Sequence, residues 1–224
     1  MSKPVIAVDG PAASGKGTLA RKLAEHFDFA YMDTGILYRA TAFEVIDSGL
    51  SIKDKRDAVE AAQTLMKKLQ SAPDPNKILS NMRLRDDDIG QAASKIAAFQ
   101  EVREVLNDMQ RSFAKNPGQH AKGAILDGRD IGTVICPNAD VKLFVTAKIE
   151  TRAKRRLKDL QSKGLIANYS DVLDDMRERD SRDMQRKDAP MMRADDAIVI
   201  NNDDRNAGET LLMAIDIIKE RLNL

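Results

Sequence analysis

Gly10-Pro11-Ala12-Ala13-Ser14-Gly15-Lys16-Gly17-Thr18 is the stretch that decides the fold of this chain. It matches G-x-x-x-x-G-K with a hydroxyl residue close behind. The glycines let successive backbone N–H groups turn into one concavity, where they meet phosphate oxygens. A helix opening at the end of the loop adds the positive potential of its N-terminus. Lys16 then reaches the β and γ phosphates of a bound triphosphate. The reading requires a strand before the loop and a helix after it.

The flanks supply both. Residues 5–8 form a short apolar run closed by Asp9-Gly10-Pro11, which predicts a buried strand and a tight loop. Residues 16–27 carry helical periodicity through Leu19, Leu23, Ala24 and Phe27. Working outward, 29–32, 124–126, 141–145 and 197–200 predict further strands. Helices are predicted after Thr34, which is placed to cap one, and over 55–69, 92–114, 149–160, 170–187 and 207–222. Residues 71–76 and 116–118 are breaks, and the stretch up to Asp88 has no clear period, predicting loop or a small ribbon. Short apolar strands alternating with helices give an α/β class: a P-loop parallel sheet of five strands with helices on both faces. Ligands of such sheets sit outside the carboxyl ends of the strands, where Gly10, Asp33 and Asp127 fall.

Composition narrows the function. A chain of 224 residues is long enough to bury a sizeable core in one large domain. A net charge of +1 argues against a general polyanion binder, and the absence of Trp argues against base-stacking platforms for nucleic acid. The lone Cys136 cannot form an intrachain disulfide, which fits a reducing cytoplasm. It reads as a small hydrophobe rather than a nucleophile, because neither His26 nor His120 is nearby in sequence. The apolar stretch at the N-terminus is too short for a signal peptide or a membrane span.

Three features refine the site. A Ser or Thr directly after the loop lysine ordinarily ligates magnesium; here Gly17 stands there and Thr18 follows. That departure argues against a nucleotide-dependent switch. So does the lack of a guanine-reading Asn-Lys-x-Asp, whose nearest match, Asn76-Lys77-Ile78-Leu79, ends on Leu. Asp127 ends an apolar strand, where an acid would approach magnesium, but it also precedes Gly128 as a turn-former would, and spacing leaves the two readings level. Arg152, Arg155 and Arg156 share one helix face, as do Arg179, Asp183 and Arg186. With Glu178 and Asp180 beside them, spacing alone favours a solvated helix surface.

Taken in order, VDGPAASGKGT, YMDTGILYRA, AASKIAAFQEVRE, LDGRDIGTV, TAKIETRAKRR, RERDSRDMQR and KDAP make the chain similar to the bacterial cytidylate kinases, a family of nucleoside monophosphate kinases that share the form Gly-Lys-Gly-Thr. The resemblance covers nearly the whole chain. It implies one P-loop kinase domain with a short monophosphate-binding insert at about 50–92 and a mobile lid at about 148–170. It implies transfer of the γ-phosphoryl group of ATP to CMP or dCMP, with Mg²⁺, by a cytoplasmic monomer of pyrimidine nucleotide metabolism that binds neither nucleic acid nor membrane. In it Thr34, Arg39 and Arg129 would hold the acceptor's monophosphate. Ser94, Arg103 and Asp130 would read the cytosine edge, and Arg179 and Asp183 the sugar hydroxyls. Arg186, with Arg152 and Arg156 from the lid, would join Lys16 around the migrating phosphoryl group. Asp33 and Asp127 would lie near metal and attacking phosphate, with no direct protein ligand to Mg²⁺ beyond the neighbourhood of Thr18 and Asp127. Two departures stand out. Residues 73–88 look shorter than the usual nucleotide-binding insert. Asn201-Asn202 stands where relatives tend to carry Asp followed by Ser or Thr, which leaves the adenine side open.

Overall fold

A computed structural model describes residues 3–224. In chain order it contains β1 (Val5–Asp9), α1 (Lys16–Phe27), β2 (Ala30–Asp33), α2 (Gly35–Asp47), α3 (Lys55–Ser71), α4 (Pro75–Leu79), α5 (Asp87–Ile96), α6 (Gln100–Lys115), β3 (Ala124–Gly128), β4 (Val141–Thr146), α7 (Ile149–Ser162), α8 (Tyr169–Met184), β5 (Ile198–Asn201) and α9 (Ala207–Leu222). The chain divides into two compact units, one of Met1–Met32 with Phe113–Leu224, the other of Asp33–Ser112.

The first unit is built on the sheet, ordered β2-β3-β1-β4-β5. β1 pairs parallel with β3 and β4, and β4 pairs parallel with β5. The register sets Asp9 level with Gly128 and Phe144, and Thr146 level with Asn201. Strand alternation explains why these runs are apolar throughout. Ile6, Val8, Ile125 and Leu143 pack on one face with Leu19, Leu23 and Phe27 of α1 and Ala214, Ile215 and Ile218 of α9. Ala7, Ala124 and Leu126 face the other way, against Phe113, Ala114, Ile131 and Ile135. A sheet covered on both faces leaves little room for polar residues within its strands, and the buried Lys142 of β4 spends its charge on the Pro137 carbonyl at 2.6 Å and on Asp196 at 2.9 Å. α7 and α8 pack on one another through Ala153, Leu160, Val172 and Met176.

The second unit is helical and has its own core, in which Leu37, Leu65, Leu84, Ile89, Ile96 and Leu106 are fully buried. Three expectations are corrected here. Thr34 precedes α2, but its backbone is already helical and its side chain makes no capping hydrogen bond. Residues 75–85 hold no ribbon: Asp74 caps α4 with Pro75 at the first position, and Asn81 caps a 3₁₀ turn at Met82–Arg85. The helix expected over 92–114 is two helices. The amides of Ala98 and Phe99 bond the carbonyls of Lys95 and Ile96 instead of continuing the α ladder, and the chain re-enters helix at Gln100. In the first unit, Ile131–Ile135 forms a π turn that the sequence reading left unassigned.

Candidate active site

The phosphate loop links β1 to α1, the context its sequence requires. Gly10 (φ 147°) passes so close to the Val145 carbonyl that a Cβ would collide with it. Ala13 and Gly15 also have positive φ, 57° and 95°, and alternating backbone handedness of this kind turns N–H groups to one side. The outside of the loop is held by side chains. Arg152 donates to the Ala12 carbonyl at 3.2 Å, and the Ser14 carbonyl accepts from Asn202 at 2.8 Å and Arg155 at 3.4 Å. The Ser14 hydroxyl is fully buried with no hydrogen-bond partner among the described residues, a donor that a phosphate oxygen would satisfy.

Lys16 and Asp127 meet at the end of β3, with Nζ 3.9 Å from Oδ1. The other carboxylate oxygen accepts from the Tyr31 hydroxyl at 2.6 Å. A Cβ at position 17 would sit 3.2 Å from Asp127 Oδ2, so the residue after the lysine is glycine where the carboxylate crosses the loop. Asp127 thus sits within β3 beside the loop lysine, in a strand rather than in a turn. Its hard oxygen atoms suit Mg²⁺. Asp9, buried at the carboxyl end of β1, accepts from the amides of Ile131 (2.9 Å) and Gly132 (2.7 Å). Burial pushes its carboxyl up to about 6, against these two hydrogen bonds, with Asp130 adding to the rise and Lys16 opposing it.

The basic residues at the other sequence-predicted positions of this unit divide into two groups. Arg129 donates through Nε to Asp183 at 3.1 Å and through Nη1 to the Gly128 carbonyl, while Arg186 pairs with the second oxygen of Asp183. Burial works to raise the Asp183 pKa, but Arg129, Arg186 and Arg179 together hold it below the ordinary carboxylate value. The buried Nε of Arg186 has no hydrogen-bond partner among the described residues. α7 carries the second group. Arg152 is buried and donates to Asp180 at 2.6 Å and to the Ala147 carbonyl, and Arg156 pairs with Asp159 on its own helix. Asp130 is buried at the head of the π turn, where its carbonyl accepts from Val134 and Ile135.

The second unit holds Asp33, Thr34, Arg39, Ser94 and Arg103. Arg39 donates to the carbonyls of Leu84 (2.8 Å) and Asp86 (3.1 Å) and lies against Gly90 of α5. Ser94 and Arg103 flank the break between α5 and α6, both buried. Arg103 reaches the Ala97 carbonyl at 3.4 Å, and the Ser94 hydroxyl has no partner among the described residues. A buried guanidinium and a buried hydroxyl with no partner among the described residues are groups whose polarity a bound ligand could satisfy. A cavity of about 240 Å³ in the same unit, lined by Phe43, Glu44, Lys68 and Lys77, includes none of these residues.

Sequence reasoning passed over Asp9 and Tyr31 and gave no task to Arg155 or Asn202. A polar residue at a strand's carboxyl end was the available signal for Asp9 and Asn202.

The family described as cytidylate kinase matches residues 6–220. The cytidylate kinase of Rhodospirillum rubrum is 51% identical over 97% of this chain and 98% of its own. That of Paramagnetospirillum magneticum is 51% identical over 96% and 97%. The solved structure of an uncharacterized protein from Eubacterium ventriosum aligns with a TM-score of 0.52 at 16% identity, covering 97% of this chain and 99% of that one. At that identity the likeness speaks to fold alone.

Proposed function

The chain belongs to the cytidylate kinase family, and from that premise we propose that it transfers the γ-phosphoryl group of ATP to CMP or dCMP, giving ADP and CDP or dCDP. The observation that carries the kinase reading over a nucleotide switch is the second guanidinium cluster. Besides the loop lysine, Asp183 gathers Arg129 and Arg186, a concentration of positive charge that a bare triphosphate site does not need.

Phosphoryl transfer asks little covalent chemistry of a protein; it asks for position, positive charge and exclusion of water. The acceptor phosphate is already an anionic nucleophile at neutral pH, so no general base is needed. In this reading the loop amides and Lys16 hold the donor's phosphates. Arg39, Arg129 and Thr34 hold the acceptor phosphate, and Arg179 and Asp183 the ribose. Arg186, with Arg152 and Arg156, neutralises charge on the group in transit, while closure over α7 and the turn after it excludes water. Mg²⁺ would accompany ATP and offset phosphate charge, with Asp127 and Thr18 as the protein oxygens that would face it and Asp33 the carboxylate that would lie toward the attacking phosphate. Cytosine offers an N4 amino donor beside N3 and O2 acceptors. Asp130 accepts from the amino group while Ser94 and Arg103 donate to the acceptors. Uracil would turn O4 toward the carboxylate, and a polar site denied its partner discriminates by roughly 10⁴-fold. Among the described residues no helix is long and apolar enough to cross a membrane, and a cytoplasmic monomer fits this reading.

A panel of CMP, dCMP, UMP and AMP in a coupled ADP-release assay tests the assignment. Fastest turnover on CMP or dCMP is expected. Faster turnover on UMP or AMP would overturn the cytosine reading, and ATP consumption indifferent to every acceptor would favour a switch.

A further inference from the structure

Asn202 follows the last residue of β5 and is buried. Its side chain turns to the phosphate loop. Nδ2 donates to the Ser14 carbonyl at 2.8 Å across 188 positions of sequence. The amide is itself fixed: the Thr210 hydroxyl lies 2.7 Å from Oδ1, sharing its proton with the Asn206 carbonyl at 3.0 Å. The Asn202 backbone N–H bonds the Thr146 carbonyl at 2.8 Å. Arg155 completes the arrangement from α7, donating to the Asn202 carbonyl at 2.5 Å and to the Ser14 carbonyl at 3.4 Å.

The consequence follows from peptide planarity. In a trans peptide the C=O of one residue and the N–H of the next point in opposite directions. A Ser14 carbonyl anchored outward by two donors leaves the Gly15 N–H turned inward, on the side where the loop receives phosphate. The fit is steric as well: a Cβ on Gly15 would stand 2.5 Å from Asn202 Nδ2, so only glycine allows the amide to reach the backbone there. We propose that Asn202, supported by Arg155, is a positioning residue for the donor phosphates, orienting the Ser14–Gly15 peptide so that its N–H faces the bound triphosphate. The inference rests on the reading that this loop binds ATP.

The discriminating variant is Asn202→Asp, which keeps shape but sets a carboxylate oxygen against the Ser14 carbonyl and so favours rotation of that peptide. Calorimetric titration of the whole protein with ATP alone comes first; no binding to the unaltered protein would sink the donor reading itself. Given that binding, Asn202→Asp should raise the Kd for ATP at least tenfold and the KM for CMP by less than twofold, while adenosine competes as before, because the defect lies at phosphate. Arg155→Ala and Thr210→Val should give the same ATP-selective loss, smaller in size, and serve if Asn202→Asp does not fold. Unchanged ATP affinity in these variants, equal losses for ATP and CMP, or an equal loss for adenosine would each overturn the proposal.

Discussion

Two carboxylates of the first unit are both buried, and their surroundings push them in opposite directions. Asp183 is surrounded by guanidinium groups, which hold its carboxyl below the ordinary carboxylate value. Asp9 has only two amides and a more distant lysine against the cost of burial, and its pKa lies at about 6. An aspartate whose folded pKa exceeds its unfolded one binds its proton more readily when folded. Between the ordinary value of 3.8 and about 6 the native state therefore carries more protons, and this group's contribution to stability falls as pH rises through that window. The span corresponds to about 3 kcal/mol in total. Asp9→Asn removes the titration but accepts from only one of the two amides, so the variant should be the less stable protein near pH 4. The gap should narrow or reverse by pH 7. Denaturant unfolding across that range checks it, and a gap that ignores pH would mean that Asp9 does not titrate there. Because Asp9 holds the amides just after Asp130, the same substitution reports on how firmly that turn is set.

Elements place side chains by how closely they approach, and α5 shows it at Gly90. Glycine inside a helix costs about 1 kcal/mol relative to alanine, yet here a Cβ would lie 2.7 Å from Arg39 Nη2. The guanidinium is also held by the carbonyls of Leu84 and Asp86, so α5 and the turn before it together aim Arg39. Gly90→Ala should leave the melting temperature within a few degrees or raise it, and should displace Arg39. If Arg39 holds the acceptor's phosphate, the KM for CMP rises about tenfold, roughly 1.4 kcal/mol, with the KM for ATP unchanged. An unaltered KM for CMP would remove Arg39 from the acceptor site. This scale also shows what a sequence can reveal. α1 and α9 match their predicted ranges because each has one apolar stripe and a plain start: the phosphate loop for α1, and for α9 an Asn206–Glu209 capping box. The strands are legible because burial on both faces makes them continuous apolar runs. The break between α5 and α6 carries no Gly or Pro and is imposed by packing of Ile96, Phe99 and Val102 into one cluster, a tertiary cause that local propensity does not register. The same limit governs the site. The loop and Asp127 stand in recognisable local contexts, whereas Asn202 acts on a backbone carbonyl 188 positions away, and no spacing rule links the two.

At the scale of the whole molecule, the proposed donor residues belong to one unit, whereas the proposed acceptor residues are drawn from both, Arg129, Asp130, Arg179 and Asp183 coming from the first. Every residue of the phosphate loop, with Asp127, Arg155 and Asn202, belongs to the first unit, while Thr34, Arg39, Ser94 and Arg103 belong to the second. Each unit buries its own apolar cluster, so each can open and close its backbone hydrogen bonds on its own free-energy scale. A ligand that binds only the closed form of a segment slows exchange there by the factor 1 + [L]/Kd. Hydrogen exchange of the whole chain should therefore respond differently to the two nucleotides. ATP alone should protect the amides of 11–18 and leave 84–103 unchanged. CMP alone should protect 84–103, where Ser94 and Arg103 present buried donors, and also the amides after Arg129. At a hundredfold excess over Kd the protection should approach about 100-fold, or roughly 2.7 kcal/mol. CMP protection confined to the first unit would place the base-reading residues elsewhere, and ATP protection of 84–103 would show that donor binding alone orders the second unit. The Ser94 hydroxyl gives this test its physical basis: it is buried and unsatisfied, a condition that costs about 1–3 kcal/mol unless a ligand relieves it. Ser94→Ala should accordingly weaken the CMP-dependent protection while leaving the ATP-dependent protection of the loop intact.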